Sequence, residues 1–71
     1  MAASANLWPV MSAMQKVKLP KGVRWQTFAK DGDAMVGVLV KDGPELHTAQ
    51  VRVSDPLQAH AAAMAGISAI G

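Results

Sequence analysis

The tripeptide Lys-Asp-Gly occurs twice in this chain, at Lys30–Gly32 and again at Lys41–Gly43. Each copy lies between runs of strand-forming residues. Asp-Gly in that setting is a strong hairpin signal, because glycine accepts the positive φ that tight turns between twisted strands require. Two such turns imply three consecutive antiparallel strands, over about Val23–Ala29, Ala34–Lys41 and Glu45–Val53. Any function has to be mounted on that meander.

The length of 71 residues allows a single small domain over 1–71. A chain of this size buries only about 60% of its unfolded surface, so its core is marginal without a staple. There is no cysteine, which removes disulfides and thiolate metal sites and fits a reducing compartment. Association with itself or with a partner is the remaining common route to stability. Apolar residues make up 51% of the chain and charged ones 17%, a globular rather than a disordered balance. No apolar run approaches the roughly 20 residues that span a bilayer. The opening Met1–Val10 has no charged leader and is interrupted by Pro9. The expectation is a soluble, intracellular, cytoplasmic protein with no membrane partner.

Charge is unevenly spread. Residues 1–30 hold Lys16, Lys18, Lys21, Arg24 and Lys30 with no acid, while residues 31–71 hold Lys41 and Arg52 against Asp31, Asp33, Asp42, Glu45 and Asp55. The basic part points either to an anionic partner or to neutralisation by the protein's own acidic turns.

Along the chain, Met1–Asn6 are expected to fray, with Asn6 as a helix cap. Leu7, Val10, Met11, Met14 and Val17 recur at spacings of three and four, predicting a short helix over 7–17 with Pro9 in its first turn. Pro20 and Gly22 mark a connector before the sheet, which occupies 23–53. Strict alternation sorts the strands into two faces. Val23, Trp25, Thr27, Ala29, Ala34, Val36, Val38, Val40, Ala49, Val51 and Val53 read as the core face, on their β-branched character. The outer face then collects Arg24, Gln26, Phe28 and Lys30, then Met35, Gly37, Leu39 and Lys41, then Leu46, Thr48, Gln50 and Arg52. Gly37 in mid-strand signals a bulge or a close approach. Ser54-Asp55-Pro56 starts a second helix over 56–66, with Leu57, Ala61 and Met64 expected against the sheet. Gly66 either caps that helix or is passed through as far as Ile70, and Ile67 and Ile70 are dimer contacts if they stay unpacked. The fold class is α+β: a short N-terminal helix, a three-stranded antiparallel meander and a C-terminal helix packed on one sheet face.

Nothing in the sequence names a reaction. His47 and His60 have no metal-ligand spacing, and no serine sits in a nucleophile elbow. Carboxylates gather only where turns call for them, and no phosphate-cradling glycine loop is present. The chain is therefore read as a non-enzyme with no cofactor, no metal and no small-molecule substrate. The informative constellation is the outer face. Phe28, Met35, Leu39 and Leu46 would form an apolar centre rimmed by Arg24, Gln26, Gln50 and Arg52, the anatomy of a protein interface. The N-terminal helix, through Leu7, Trp8, Met11 and Met14, is the internal candidate to cover that centre.

With Gly22-Val23-Arg24-Trp25 opening the first strand, the element order over Gly22–Ala65 resembles the integrase arm-binding modules. Their three-stranded sheet, backed by a helix, enters the DNA major groove. That resemblance implies nucleic-acid contacts from Lys16, Lys18, Lys21, Arg24, Lys30, Lys41 and Arg52. The first expectation remains a small non-catalytic interaction protein, of the accessory or inhibitor type found in phages, binding a protein partner or itself through the outer sheet face. DNA binding is the alternative.

Overall fold

The computed structural model describes residues 7–71. The expected frayed start Met1–Asn6 and the Asn6 cap lie outside the described residues. Helix α1 spans Trp8–Gln15, strand β1 Val23–Asp31, β2 Ala34–Lys41, β3 His47–Val53 and helix α2 Ala59–Ile70, with a 3-10 turn over Pro56–Gln58 leading into α2. The strands form one antiparallel sheet in the order β1-β2-β3. The α+β architecture read from the sequence is the one observed.

The two Lys-Asp-Gly copies both fall at hairpin connections, but they work differently. In the first, Asp31 pairs with Ala34, leaving Gly32-Asp33 as a two-residue turn. Gly32 has φ +61° while Asp33 stays at negative φ, the type II′ arrangement with glycine at the first central position. In the second, Pro44 follows the glycine and the connection widens to Asp42–Leu46. Gly43 does not take positive φ there.

The helices pack side by side on one sheet face. The α1 stripe is as the spacing predicts: Leu7, Val10, Met14 and Val17 are buried and Met11 packs against them. The Met14 methyl reaches Gly37 on β2: a Cβ placed there would lie 3.0 Å from it and 2.6 Å from the Trp25 ring. Gly66 of α2 sits against Val51 and Leu39. So α1 covers the β1/β2 half and α2 the β2/β3 half, giving two layers in which no element of the described residues lies on the other sheet face. The Asp55 carboxylate accepts the Leu57 N–H at 2.9 Å, capping the 3-10 turn.

The face assignment read from strict alternation is corrected in β2 and in half of β1. Met35, Gly37 and Leu39 turn toward the helices together with Ala49, Val51 and Val53, and Leu39 is fully buried. The alternate set Ala34, Val36, Val38 and Val40 lies on the face without helices. In β1 the register slips between Trp25 and Thr27, a bulge at Gln26 that puts two residues where one belongs. Val23 and Trp25 before it, and Phe28 after it, therefore share the helix side. The Trp25 and Phe28 rings pack there, 5.0 Å apart, and the Trp25 indole N–H has no acceptor among the described residues.

Helix α2 is also corrected in phase. Leu57 is 91% exposed, and Ala61 and Met64 face solvent, while Ala59, Ala63, Gly66 and Ile70 face the core. The helix runs through Gly66, and Ile67 and Ile70 belong to the monomer core rather than to a free tail.

Candidate interaction surface

The correction divides the sequence-derived site. Phe28, Met35 and Leu39 lie under the helices and do not reach the open sheet face. Leu46 is exposed, but in the β2–β3 connection. Gln26 is the exposed bulge residue. Arg24, Gln50 and Arg52 are brought together on the open face as expected. The register gives its rows: Arg24, Val40 and Thr48; Thr27, Val38 and Gln50; Ala29, Val36 and Arg52; and Asp31 beside Ala34.

That face is largely closed by its own side chains. No helix of the described residues covers Val40 or Ala34, yet they are only 1% and 3% exposed. Arg52 on β3 donates to the Asp31 carboxylate on β1 and also approaches the Asp31 carbonyl at 3.4 Å. It must therefore lie across β2, its aliphatic stem over small and branched side chains. Arg24 meets Asp42 at 3.6 Å. Both arginines on this face are thus engaged with turn carboxylates, which answers the second half of the Lys-Asp-Gly pattern: the turn acids hold the face arginines. From Val23 to Asp55 four cations (Arg24, Lys30, Lys41, Arg52) stand against five acids (Asp31, Asp33, Asp42, Glu45, Asp55). The remaining cations, Lys16, Lys18 and Lys21, belong to the connector between α1 and β1, and Lys30 faces the helix side of the sheet, so the proposed nucleic-acid set is split between two sides. Lys41 donates to the Gly71 carbonyl at 3.0 Å.

The opposite surface, formed by the helices, was not singled out in the sequence. From Leu7 to Gln15 and from Pro56 to Gly71 there is no Asp, Glu, Lys or Arg. Helices apolar all round belong inside larger assemblies, since a solvated helix normally carries charge on its outer face. Here the outer side is exposed: Trp8 by 62%, Leu57 by 91% and Met64 by 43%. The 3-10 turn that holds Leu57 packs against α1. The signal was available in the sequence as the confinement of every charged residue to 16–55.

Among the described residues there is no pocket and no group of three metal-ligating side chains. His47 pairs with Lys41 at one end of the sheet, whereas His60 begins α2 at the other. No helix of the described residues is long and apolar enough to cross a membrane. The fold and surfaces define a small two-layer α+β protein with a charged side and a neutral side. No protein-family model matches the chain, and no curated protein or solved structure matches it either.

Proposed function

We propose that this chain is a non-catalytic interaction protein that docks on other protein surfaces through its helical layer. One observation carries the reading: a layer free of charged side chains keeps Trp8, Leu57 and Met64 exposed. Apolar area left in water is costly, at about 25 cal/mol per Å², and a small protein retains such a patch where a partner covers it. The docking face moves from the sheet, where Phe28, Met35 and Leu39 were expected to supply the apolar centre, to the helices. Leu57→Asp together with Met64→Glu adds charge at exposed positions, so stability should change by no more than about 1 kcal/mol, or about 0.5 for each. The double variant should lose the hydrophobic-dye binding that the parent protein displays. A parent that binds no dye and stays monomeric at all concentrations rules the reading out.

DNA binding through the sheet has one observation in its favour, the grouping of Arg24, Thr27, Thr48, Gln50 and Arg52 on the open face, residue types that contact bases and phosphates. The pairing of both arginines to Asp31 and Asp42 and the acid excess of the sheet segment weigh against it. Duplex DNA at low salt is the test. Binding that falls steeply with salt and is lost in Arg24→Ala/Arg52→Ala would establish it.

A further inference from the structure

We infer that the chain pairs with a second copy of itself, edge to edge along β3, with the two α2 helices meeting above the seam. The inference goes beyond the docking reading: it concerns the β3 edge and the adjoining side of α2, not the patch of Trp8, Leu57 and Met64.

The edge follows from the hydrogen bonding. The Asp42 N–H donates to the Gly22 carbonyl at 3.1 Å, so the even-numbered residues of β2 point their main-chain groups at β1. By alternation the odd ones point at β3, where they meet Ala49, Val51 and Val53. The main-chain groups of Thr48, Gln50 and Arg52 are left facing outward. Natural edges are guarded by bulges, prolines or lysines. The β1 edge has its bulge at Gln26 and carries Lys30. Strand β3, His-Thr-Ala-Gln-Val-Arg-Val, has no bulge, proline or lysine, and its one charged side chain, Arg52, is turned back over the sheet to Asp31.

Strand β3 is also self-complementary. An antiparallel pair with its twofold axis at Gln50 sets Gln50 opposite Gln50 of the second copy and Thr48 opposite Arg52. On the helix side it sets Ala49 opposite Val51 and His47 opposite Val53. All seven residues pair, and no charge meets a like charge directly across the seam. An axis perpendicular to the sheet keeps both helical layers on the same side, as an isologous interface requires.

The helices complete the fit. Because Gly66 touches both Leu39 and Val51, α2 lies over the space between β2 and β3. With strands about 4.8 Å apart, that places the two α2 axes about 10 Å from each other across the seam, within the usual 8–10 Å for packed helices. Helix α2 runs back antiparallel to β3, ending with Gly71 at Lys41, and a right-handed helix in that direction sets Ile67, with the exposed Met64 above it, on the α1 side, and Ala62, Ala65 and Ala69 on the open side of β3. Small, uncharged side chains are what so close a crossing needs. The joined flank is about 24 Å long and about 20 Å tall, or about 1,000 Å² over both copies, which reaches the lower bound for a specific interface. The dimer is accordingly weak and concentration-dependent.

Sedimentation velocity over about three decades of concentration, up to about 1 mM, should show the mass rising from one chain to two. Ala65→Glu, exposed in the monomer, should hold the protein monomeric with its circular dichroism unchanged. Since the chain has no cysteine, Gln50→Cys should form an intermolecular disulfide under mild oxidation at concentrations where Thr27→Cys, on the same face but on β1, does not. A parent monomeric up to 1 mM overturns the inference. So does a dimer that survives Ala65→Glu and leaves Gln50→Cys uncrosslinked. A monomer that still binds hydrophobic dye through Leu57 and Met64 refutes this dimer alone. A monomer without dye binding refutes the interaction reading as well.

Discussion

Gly66→Ala sets two effects of opposite sign against each other at one position. In an exposed helix interior the change stabilises by about 0.8–1.0 kcal/mol, because glycine loses more backbone freedom on folding. At Gly66 the added methyl would lie 2.5 Å from Val51 Cγ2 and 3.0 Å from Leu39 Cδ1. Neither neighbour has room to retreat: Val51 is 3% exposed and Leu39 fully buried, and a valine methyl is fixed by a stiff χ1. Forcing a methyl into a packed core costs about 1–3 kcal/mol. The steric term therefore equals or exceeds the propensity term, and Gly66→Ala should destabilise by up to about 2 kcal/mol. Against a total stability of about 4–10 kcal/mol for a chain of this length, the loss is readily seen in urea unfolding. With a slope near 1 kcal/mol/M, the midpoint falls by up to about 2 M. Ala61→Gly, on the solvent side of the same helix, gives the propensity term alone. Val51→Ala removes the obstructing methyl, so the double variant Gly66→Ala/Val51→Ala should be more stable than the sum of the single changes by at least about 0.5 kcal/mol. A Gly66→Ala protein more stable than the parent would refute the close packing of α2 on the sheet.

Gly37→Ala makes the same argument on β2, where the new methyl would stand 2.6 Å from the Trp25 ring. It should cost about 1–3 kcal/mol and shift the Trp25 fluorescence, and unchanged emission would refute the contact. The Arg52–Asp31 pair is exposed on both sides, so a double-mutant cycle with Arg52→Ala and Asp31→Ala should return a coupling of no more than about 1 kcal/mol that shrinks with added salt. A larger, salt-insensitive coupling would mean that the crossing over β2 excludes water.

The strands and turns were legible because their signals are local. Asp-Gly before a valine-rich run, Pro56 after Ser54-Asp55, and the 3-4 spacing from Leu7 to Val17 each act within a few residues. The face of β2 was not legible, because both of its alternate sets are apolar, so alternation there carries no sign. Valine suits a strand by its shape and does so on either face. The set Val36, Val38 and Val40 therefore looked like a core while lying opposite one. Gly37 held the information: a glycine is needed where the Trp25 ring and Met14 press on the backbone, which marks the helix side. Helix α2 hid its phase in the same way, since a run of alanines has no amphipathic direction and only Gly66 records the contact. The neutral helical layer was readable as a confinement of charge, but its exposure required the packing.

The bulge at Gln26 means that β1 is read in two frames. Before it the odd residues face the helices, and after it the even ones do. Deleting Gln26 alone would restore simple alternation and leave Trp25 opposite Leu39, Thr27 opposite Val38 and Phe28 opposite Gly37, with both rings still on the helix side. What the strand would lose is the bulge itself, the irregularity that guards the β1 edge. The length of this strand can therefore change by one residue at Gln26 without moving either ring, and the consequence falls instead on the edge, which is left straight and open to another strand.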